Sequence, residues 1–346
     1  MTLYGFRLHT IELTEGRSRT KLAITSEGLD RFLPEGVSSP QALVAARLRA
    51  MQGTMFIRDA TYKAIGEPVR DAADWPERTP CLRIDSVAEE ANRIEVGVTY
   101  GRKGAYPTAM RFQGGEDISL DDAAAARGYR VLLYFPRAGD RAVMVSEVVG
   151  RTHVGQALMQ RLSVENAAAA ALTKGDGETV DPWLRFVPRG MFDESRIAEV
   201  LEEGAIEGLT LKRHAAQSSG VRRTKDLVLT QNGLPESKRG QAKKLVAKWV
   251  KKSLGIADLS ADERSVGALL EFVDVDDGAV ADIGFTDGSF RFSEHGKSQS
   301  LGPTNLEKIL MYPTGDQRLS TPDLHGFAVK RLRPLTESLT LPIEFV

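Results

Sequence analysis

Between Leu211 and Lys252 a nearly neutral chain gathers twelve Lys and Arg residues against two acids, and this concentration constrains the architecture more than any other feature. The cations are Lys212, Arg213, Arg222, Arg223, Lys225, Lys238, Arg239, Lys243, Lys244, Lys248, Lys251 and Lys252, and the acids are Asp226 and Glu236. Twelve less two leaves a local charge of +10, so with −1 overall the remainder carries −11. Segregation of this kind makes a dipolar molecule whose basic pole attracts polyanions while the acidic remainder keeps it soluble.

Within that stretch, Glu236 to Leu254 has the clearest helical period in the chain. Ala242, Leu245, Val246 and Trp249 fall at i, i+3, i+4 and i+7, which puts them on one apolar stripe. Lysines 243, 244, 248, 251 and 252 occupy much of the remaining circumference. Such a helix docks by its stripe and shows its lysines outward.

At 346 residues the chain has room for two or three domains of ordinary size. A hydrophobic content of 42%, a charged content of 27% and no apolar run of spanning length predict a soluble globular protein. Met1 to Thr25 alternates polar and apolar residues instead of building a signal-peptide core, so the expected compartment is the cytoplasm. Cys81 stands alone, which excludes an intramolecular disulfide and a cysteine-rich zinc site. The five histidines, at 9, 153, 214, 295 and 325, show no metal-ligand spacing.

The first half reads as strands with helical interruptions. Leu3 to Leu13 forms a strand and Thr20 to Thr25 its returning arm, and Ser39-Pro40 opens a capped helix over Gln41 to Met51. Thr54 to Arg58, Arg93 to Tyr100 and Met110 to Gln113 are short strands, and Gly66 to Pro80 is a loop. Tyr129 to Phe135 and Ala142 to Val149 form the strongest strand pair, joined by a hairpin loop at Pro136 to Asp140. A helix follows from Val154 to Thr173, and Gly175 and Gly177 mark a boundary or linker over Lys174 to Asp181. Ser195 to Glu203 reads as a helix and Gly204 to Leu211 as a strand. From Asp258 to Glu294 ten acids face two arginines, with strands expected at Leu269 to Val275, Ala279 to Phe285 and Ser289 to Ser293, and turns at Asp277-Gly278 and Asp287-Gly288.

The templates of catalysis fail one by one. Gly296-Lys297-Ser298 lacks the earlier glycine of a phosphate loop, since Arg291 holds that place. Gly101 to Gly104 lacks the third glycine of a dinucleotide site and reads as a surface turn. Asp274, Asp276 and Asp277 could gather a divalent cation, but the EF-hand spacing breaks at Gly278. Glu116, Asp117, Asp121 and Asp122 read as residues opening an alanine-rich helix. No nucleophile, base and acid set can be assembled, and no cofactor is implied. The basic segment favours nucleic acid over a membrane or a merely solvated face. Its charges extend beyond the helix into Arg213 to Lys225, whose Ser218, Ser219 and Gly220 suit an arm following a phosphate backbone, and Trp249 is the helix's only large aromatic. Aromatics do not interleave with the cations, so duplex backbone contact is expected, without base reading.

The first half also resembles the RexA-like phage exclusion proteins. The likeness runs through Gly5-Phe6, the basic turn of Arg17 to Lys21, Leu22 to Leu33, the acidic stretch Ser119 to Asp122, the hairpin from Gly128 to Val149, and Gly150-Arg151-Thr152. This resemblance implies a dimeric, two-domain protein akin to the recombination-associated RdgC family. It further implies sequence-independent binding of duplex DNA, a prophage-encoded role in phage exclusion, and a membrane partner of the RexB type. The longer acidic C-terminal part departs from that pattern and suggests an autoinhibitory tail, whose removal from Gly255 onward would tighten DNA binding.

The resulting expectation is a non-enzymatic α+β homodimer with an N-terminal domain over 1–175 and a C-terminal domain over 176–346. Double-stranded DNA would be held by the twelve cations. The rivals are a metal-dependent nuclease using Asp274 and Asp276, and a protein-interaction module whose basic and acidic parts bind each other.

Overall fold

The computed structural model describes residues 2–34, 36–57, 80–103, 108–109, 118–119, 124–150, 152–172, 182–191, 193–213, 227–253, 267–270, 272, 287–294, 297–302 and 310–345. In chain order the elements are β1 (Tyr4–Glu15), α1 (Pro40–Ala50), β2 (Met55–Ile57), β3 (Pro80–Glu90), β4 (Arg93–Lys103), β5 (Thr108–Ala109), β6 (Ile118–Ser119), β7 (Ala124–Tyr134), β8 (Arg141–Val149), β9 (Thr152–His153), α2 (Gly155–Leu172) and β10 (Leu184–Gly190). They continue with α3 (Glu194–Glu203), β11 (Ala205–Arg213), β12 (Leu227–Asn232), α4 (Glu236–Ser253), β13 (Asp287–Glu294), β14 (Lys297–Leu301), β15 (Met311–Gly315) and α5 (Thr321–Ser338). The fold is α+β with antiparallel sheets, as the sequence predicts. Among the described residues no helix is long and apolar enough to cross a membrane.

Two compact units emerge, one of Met1–Met191 with Met311–Val346 and one of Phe192–Leu310. The sequence predicts a division between residues 175 and 176, with the second domain running to the end. The chain instead returns to its first unit, because β15 hydrogen-bonds to β1 and α5 buries its apolar side there.

The first unit is built on a sheet ordered β10-β1-β8-β7-β4-β3-β2, with β15 and β9 added beside β1 and β8. Alternate residues of its central strands enter different cores. Ile11, Leu13, Val131, Leu133 and Met144 pack with α1 and α2, whereas Phe6, Leu8, Leu132, Tyr134, Val143 and Val145 pack with α5. Burial on both faces explains why β7 and β8 read as near-continuous apolar runs. The expected hairpin between them forms, with Val131 opposite Ser146 and Tyr134 opposite Val143, and Gly139 takes a φ of 115° in its loop. Helix α1 begins as expected, with the Ala42 amide donating to the Ser39 hydroxyl at 3.1 Å and Pro40 in the first turn.

Several expectations are corrected. Ala124 to Ala126 begin strand β7 instead of a helix, because pairing with Lys103, Arg102 and Gly101 of β4 outweighs the helix preference of alanine. Gly101 to Lys103 are accordingly strand and not a turn. Thr20 to Thr25 makes a single bridge, Lys21 to Thr14, and no returning strand. Leu269 lies in a helical turn, Gly267–Leu270, where a strand was expected, since its side chain fills the second core from above the sheet. Asp287-Gly288 opens β13 opposite Lys212 and Leu211 and makes no hairpin turn there. Expectations placed on Met110 to Gln113, Lys174 to Asp181, Ala279 to Phe285, Glu116, Asp117, Asp121, Asp122, Asp274, Asp276 and Asp277 lie outside the described residues.

The second unit is a four-stranded antiparallel sheet ordered β12-β11-β13-β14 with α3 and α4 contributing to one core. Leu209, Leu211, Phe290 and Phe292 fill the covered side of the sheet. On the other side stand Lys212, Thr210, Val228, Thr230, Arg291 and Ser300, in register across the four strands, and Val228 is exposed. The end of the acidic stretch, Asp287–Glu294, is therefore no appendage: it forms the central strand β13, in which Phe290 and Phe292 are fully buried. Removing Gly255–Val346 would take away β13, β14, β15 and α5, so that deletion cannot test autoinhibition.

Candidate nucleic-acid interface

Helix α4 follows Pro235, with the Lys238 and Arg239 amides donating to the Pro235 carbonyl in its first turn. Its stripe docks as the spacing demands. Ala242 and Val246 are fully buried, Trp249 is nearly so and Leu245 is half-buried against the same core. The Trp249 ring stacks on Phe290 at 5.8 Å, and Phe272 meets Phe290 edge-on at 5.2 Å. Three aromatic rings thus fix the rotation of the helix about its axis.

That rotation decides where the cations go. Lys244 and Lys248 are exposed on the side away from the stripe, and Lys243 is half-exposed beside them. Lys251 follows at i+7 from Lys244, so the backbone places it on the same line. Lys243 and Lys244 have no ion-pair partner among the described residues. Arg239 is exposed, but its Nε donates to the Leu234 carbonyl at 2.9 Å, so part of its guanidinium serves the helix start. Lys238 is half-buried near the stripe, and Lys252 lies in the last turn.

Lys212 stands apart from this ridge. It projects from the uncovered side of the sheet, between Val228 and Asp287 in register, while α4 packs on the covered side. Arg213 ends β11, and Arg222, Arg223 and Lys225 lie outside the described residues. The sequence could not separate Lys212 from the helix, because which side of a strand faces the core depends on its partners.

Two clusters of polar side chains in the first unit escape a reading of the sequence. Glu147 on β8 is buried and accepts from Arg130 of β7, at 2.7 Å to Oε1, and from Arg318 ahead of α5, at 2.7 Å to Oε2. Arg130 also donates to the Leu319 carbonyl and Arg318 to the Gly128 carbonyl. Burial alone would raise the Glu147 pKa, but hydrogen bonds from Arg318 and Arg130 hold it below the usual carboxylate range. Secondly, His9 and His153 stack at 5.5 Å. Burial, the neighbouring His153 and Arg7 lower His9 to about 3, and burial with Arg7 lowers His153 to about 4. Both imidazoles are neutral at physiological pH, and among the described residues neither Nδ1 atom has a hydrogen-bond partner. No spacing signal announces either cluster, since the members come from separate segments of the chain.

Among the described residues no group of three or more His, Cys, Asp or Glu side chains is placed to hold a metal. Lys297 and Ser298 are the first residues of strand β14, whereas the Lys-Ser of a phosphate loop opens a helix. No family model matches the chain, and no curated protein or solved structure shows similarity to it.

Proposed function

We propose that this protein binds double-stranded DNA without sequence preference, using the lysine ridge of α4. The observation that supports the reading is the rotation of that helix: Ala242, Val246 and Trp249 face the core, leaving Lys244 and Lys248 exposed on the opposite side. At about 1.5 Å rise per residue they stand ~6 Å apart along the axis. One DNA strand presents a phosphate every ~3.4 Å of duplex axis, so successive lysines of the ridge can meet alternate phosphates. Such contacts carry no base information.

In this reading the protein works in the cytoplasm as a homodimer, is not an enzyme and needs no cofactor. The RexA-like residue pattern of the first half supports a prophage-encoded role in phage exclusion beside a membrane partner of the RexB type. Lys212 and Arg213 of β11 would add contacts, as would Arg222, Arg223 and Lys225, which lie between β11 and β12 in the sequence.

The test is fluorescence anisotropy of a labelled random-sequence duplex across a salt series, with and without Mg²⁺. Affinity should fall steeply with salt, and Lys243→Glu/Lys244→Glu/Lys248→Glu should abolish binding at moderate salt. Neutral Gln versions should flatten the log–log salt slope by roughly 0.9 for each phosphate no longer neutralised. Unchanged binding by the charge-reversed variant would overturn the assignment to α4, and metal-dependent strand cleavage would favour the nuclease.

A further inference from the structure

The first unit carries a second concentration of positive charge that is dispersed in sequence and gathered only by folding. Two adjoining clefts, of about 420 and about 600 Å³, flank the α2–β10 packing, and both are lined by Trp183 and Phe186. Arg31 and Arg47 border the smaller, and Arg17 and Arg185 the larger. Among the described residues no carboxylate lines either one. Arg31 is paired with Glu15, whereas Arg17, Arg47 and Arg185 are exposed and have no ion-pair or hydrogen-bond partner among the described residues.

Trp183 is held at the junction by its own backbone. Its carbonyl accepts from the Gly16 amide at 2.7 Å, and Gly16 takes a φ of +51° that suits glycine. A Cβ at Gly16 would sit 3.3 Å from the Trp183 indole nitrogen, so the ring lies close over the turn. The indole is half-buried, with part of it left for a ligand. Gln160, half-exposed on α2, adds an amide that can both donate and accept at the larger cleft.

We propose that these clefts form a binding site for a nucleoside phosphate, either a free nucleotide or the phosphorylated end of a nucleic-acid strand. Clefts of roughly 300 to 1,000 Å³ are of the size that takes such ligands. Guanidinium groups without carboxylate partners match phosphate oxygens in charge and in fork geometry. An anchored, half-exposed indole offers a face on which a base stacks. The site lies wholly in the first unit and does not depend on the α4 ridge.

The full chain carrying Lys243→Glu/Lys244→Glu/Lys248→Glu removes the ridge's contribution and serves as the background for calorimetric titration. The probes are adenosine triphosphate, inorganic pyrophosphate and a short oligothymidylate with or without a 5′-phosphate, each up to about 1 mM, the weak end of specific affinity. Saturable binding of the nucleotide, weakened about tenfold or more by Arg47→Glu or Arg185→Glu as expected when a charge-assisted hydrogen bond is removed, supports the free ligand. Binding confined to the 5′-phosphorylated oligomer, weakened in the same way by both variants, supports the strand end. Pyrophosphate binding as tightly as the nucleotide, together with no effect of Trp183→Leu, overturns the assignment of a base. Absence of saturable binding, or indifference to both arginine variants, overturns the site. Arg47 and Arg185 are exposed, so their replacement leaves the thermal melting curve as a check on folding.

Discussion

At the scale of single residues, the most consequential choices are buried polar groups. His9 and His153 stay neutral in the folded state down to about pH 3 and about pH 4, whereas in the unfolded chain they protonate near the ordinary 6.5. The unfolded state therefore binds more protons below pH 6.5, and stability falls as the pH drops from there toward 4. The slope approaches about 1.4 kcal/mol per pH unit for each imidazole. Urea unfolding between pH 7 and about 4.5 should show this decline, and His9→Gln with His153→Gln should flatten it. Glu147 acts through the opposite kind of group in the same direction. Its folded pKa is depressed, so its contribution is present above the ordinary carboxylate range and is lost as the pH falls through the folded value. Glu147→Gln leaves Arg130 and Arg318 without their shared carboxylate and should cost about 3 to 5 kcal/mol at neutral pH, a difference that shrinks in acid.

Among the elements, α4 was the most legible. Its stripe at 242, 245, 246 and 249 predicted the buried side, and the structure puts Trp249 against Phe290. Trp249→Ala should destabilise the second unit by about 3 to 5 kcal/mol, read as a lowered denaturation midpoint, and should weaken the proposed DNA binding by freeing the helix to rotate. The β7–β8 hairpin was equally plain, since its apolar runs and the loop around Gly139 carry local signals. Strands β3, β10, β12, β14 and β15 carry no local strand signal. Each is short, charged or interrupted by proline or glycine, and is a strand because a neighbour supplies hydrogen bonds. Ala124 to Ala126 misled in the reverse direction: alanine favours helix in isolation, and the whole length of β4 overrules it.

For the whole molecule, the decisive feature is where the chain leaves the first unit and where it returns. Strands β10 and β15 lie end to end along one edge of β1, with Gly190 opposite His9 and Met311 opposite Arg7. The second unit, Phe192–Leu310, is thus inserted at a break in one line of strand, between points only two residues apart on β1. Replacing residues 192–310 with a Gly/Ser linker of roughly four residues should leave the first unit folded, because neighbouring strand residues rise only ~3.4 Å each. Cooperative unfolding and retained amide dispersion would confirm it, and collapse to an unfolded spectrum would show that the first unit needs its insert.

The sequence alone determined the local features: the charge concentration, the stripe of α4, the capped start of α1 and the β7–β8 hairpin. These depend on neighbours within a few turns or one loop, where periodicity and side-chain chemistry act directly. Only the tertiary structure decided that the last segment rejoins the first unit, that Lys212 faces away from the lysine ridge, that Glu147 sits between two arginines, and that four arginines gather around Trp183. Those arrangements join residues far apart in the chain, and strand pairing and burial, being properties of partners and not of segments, selected them.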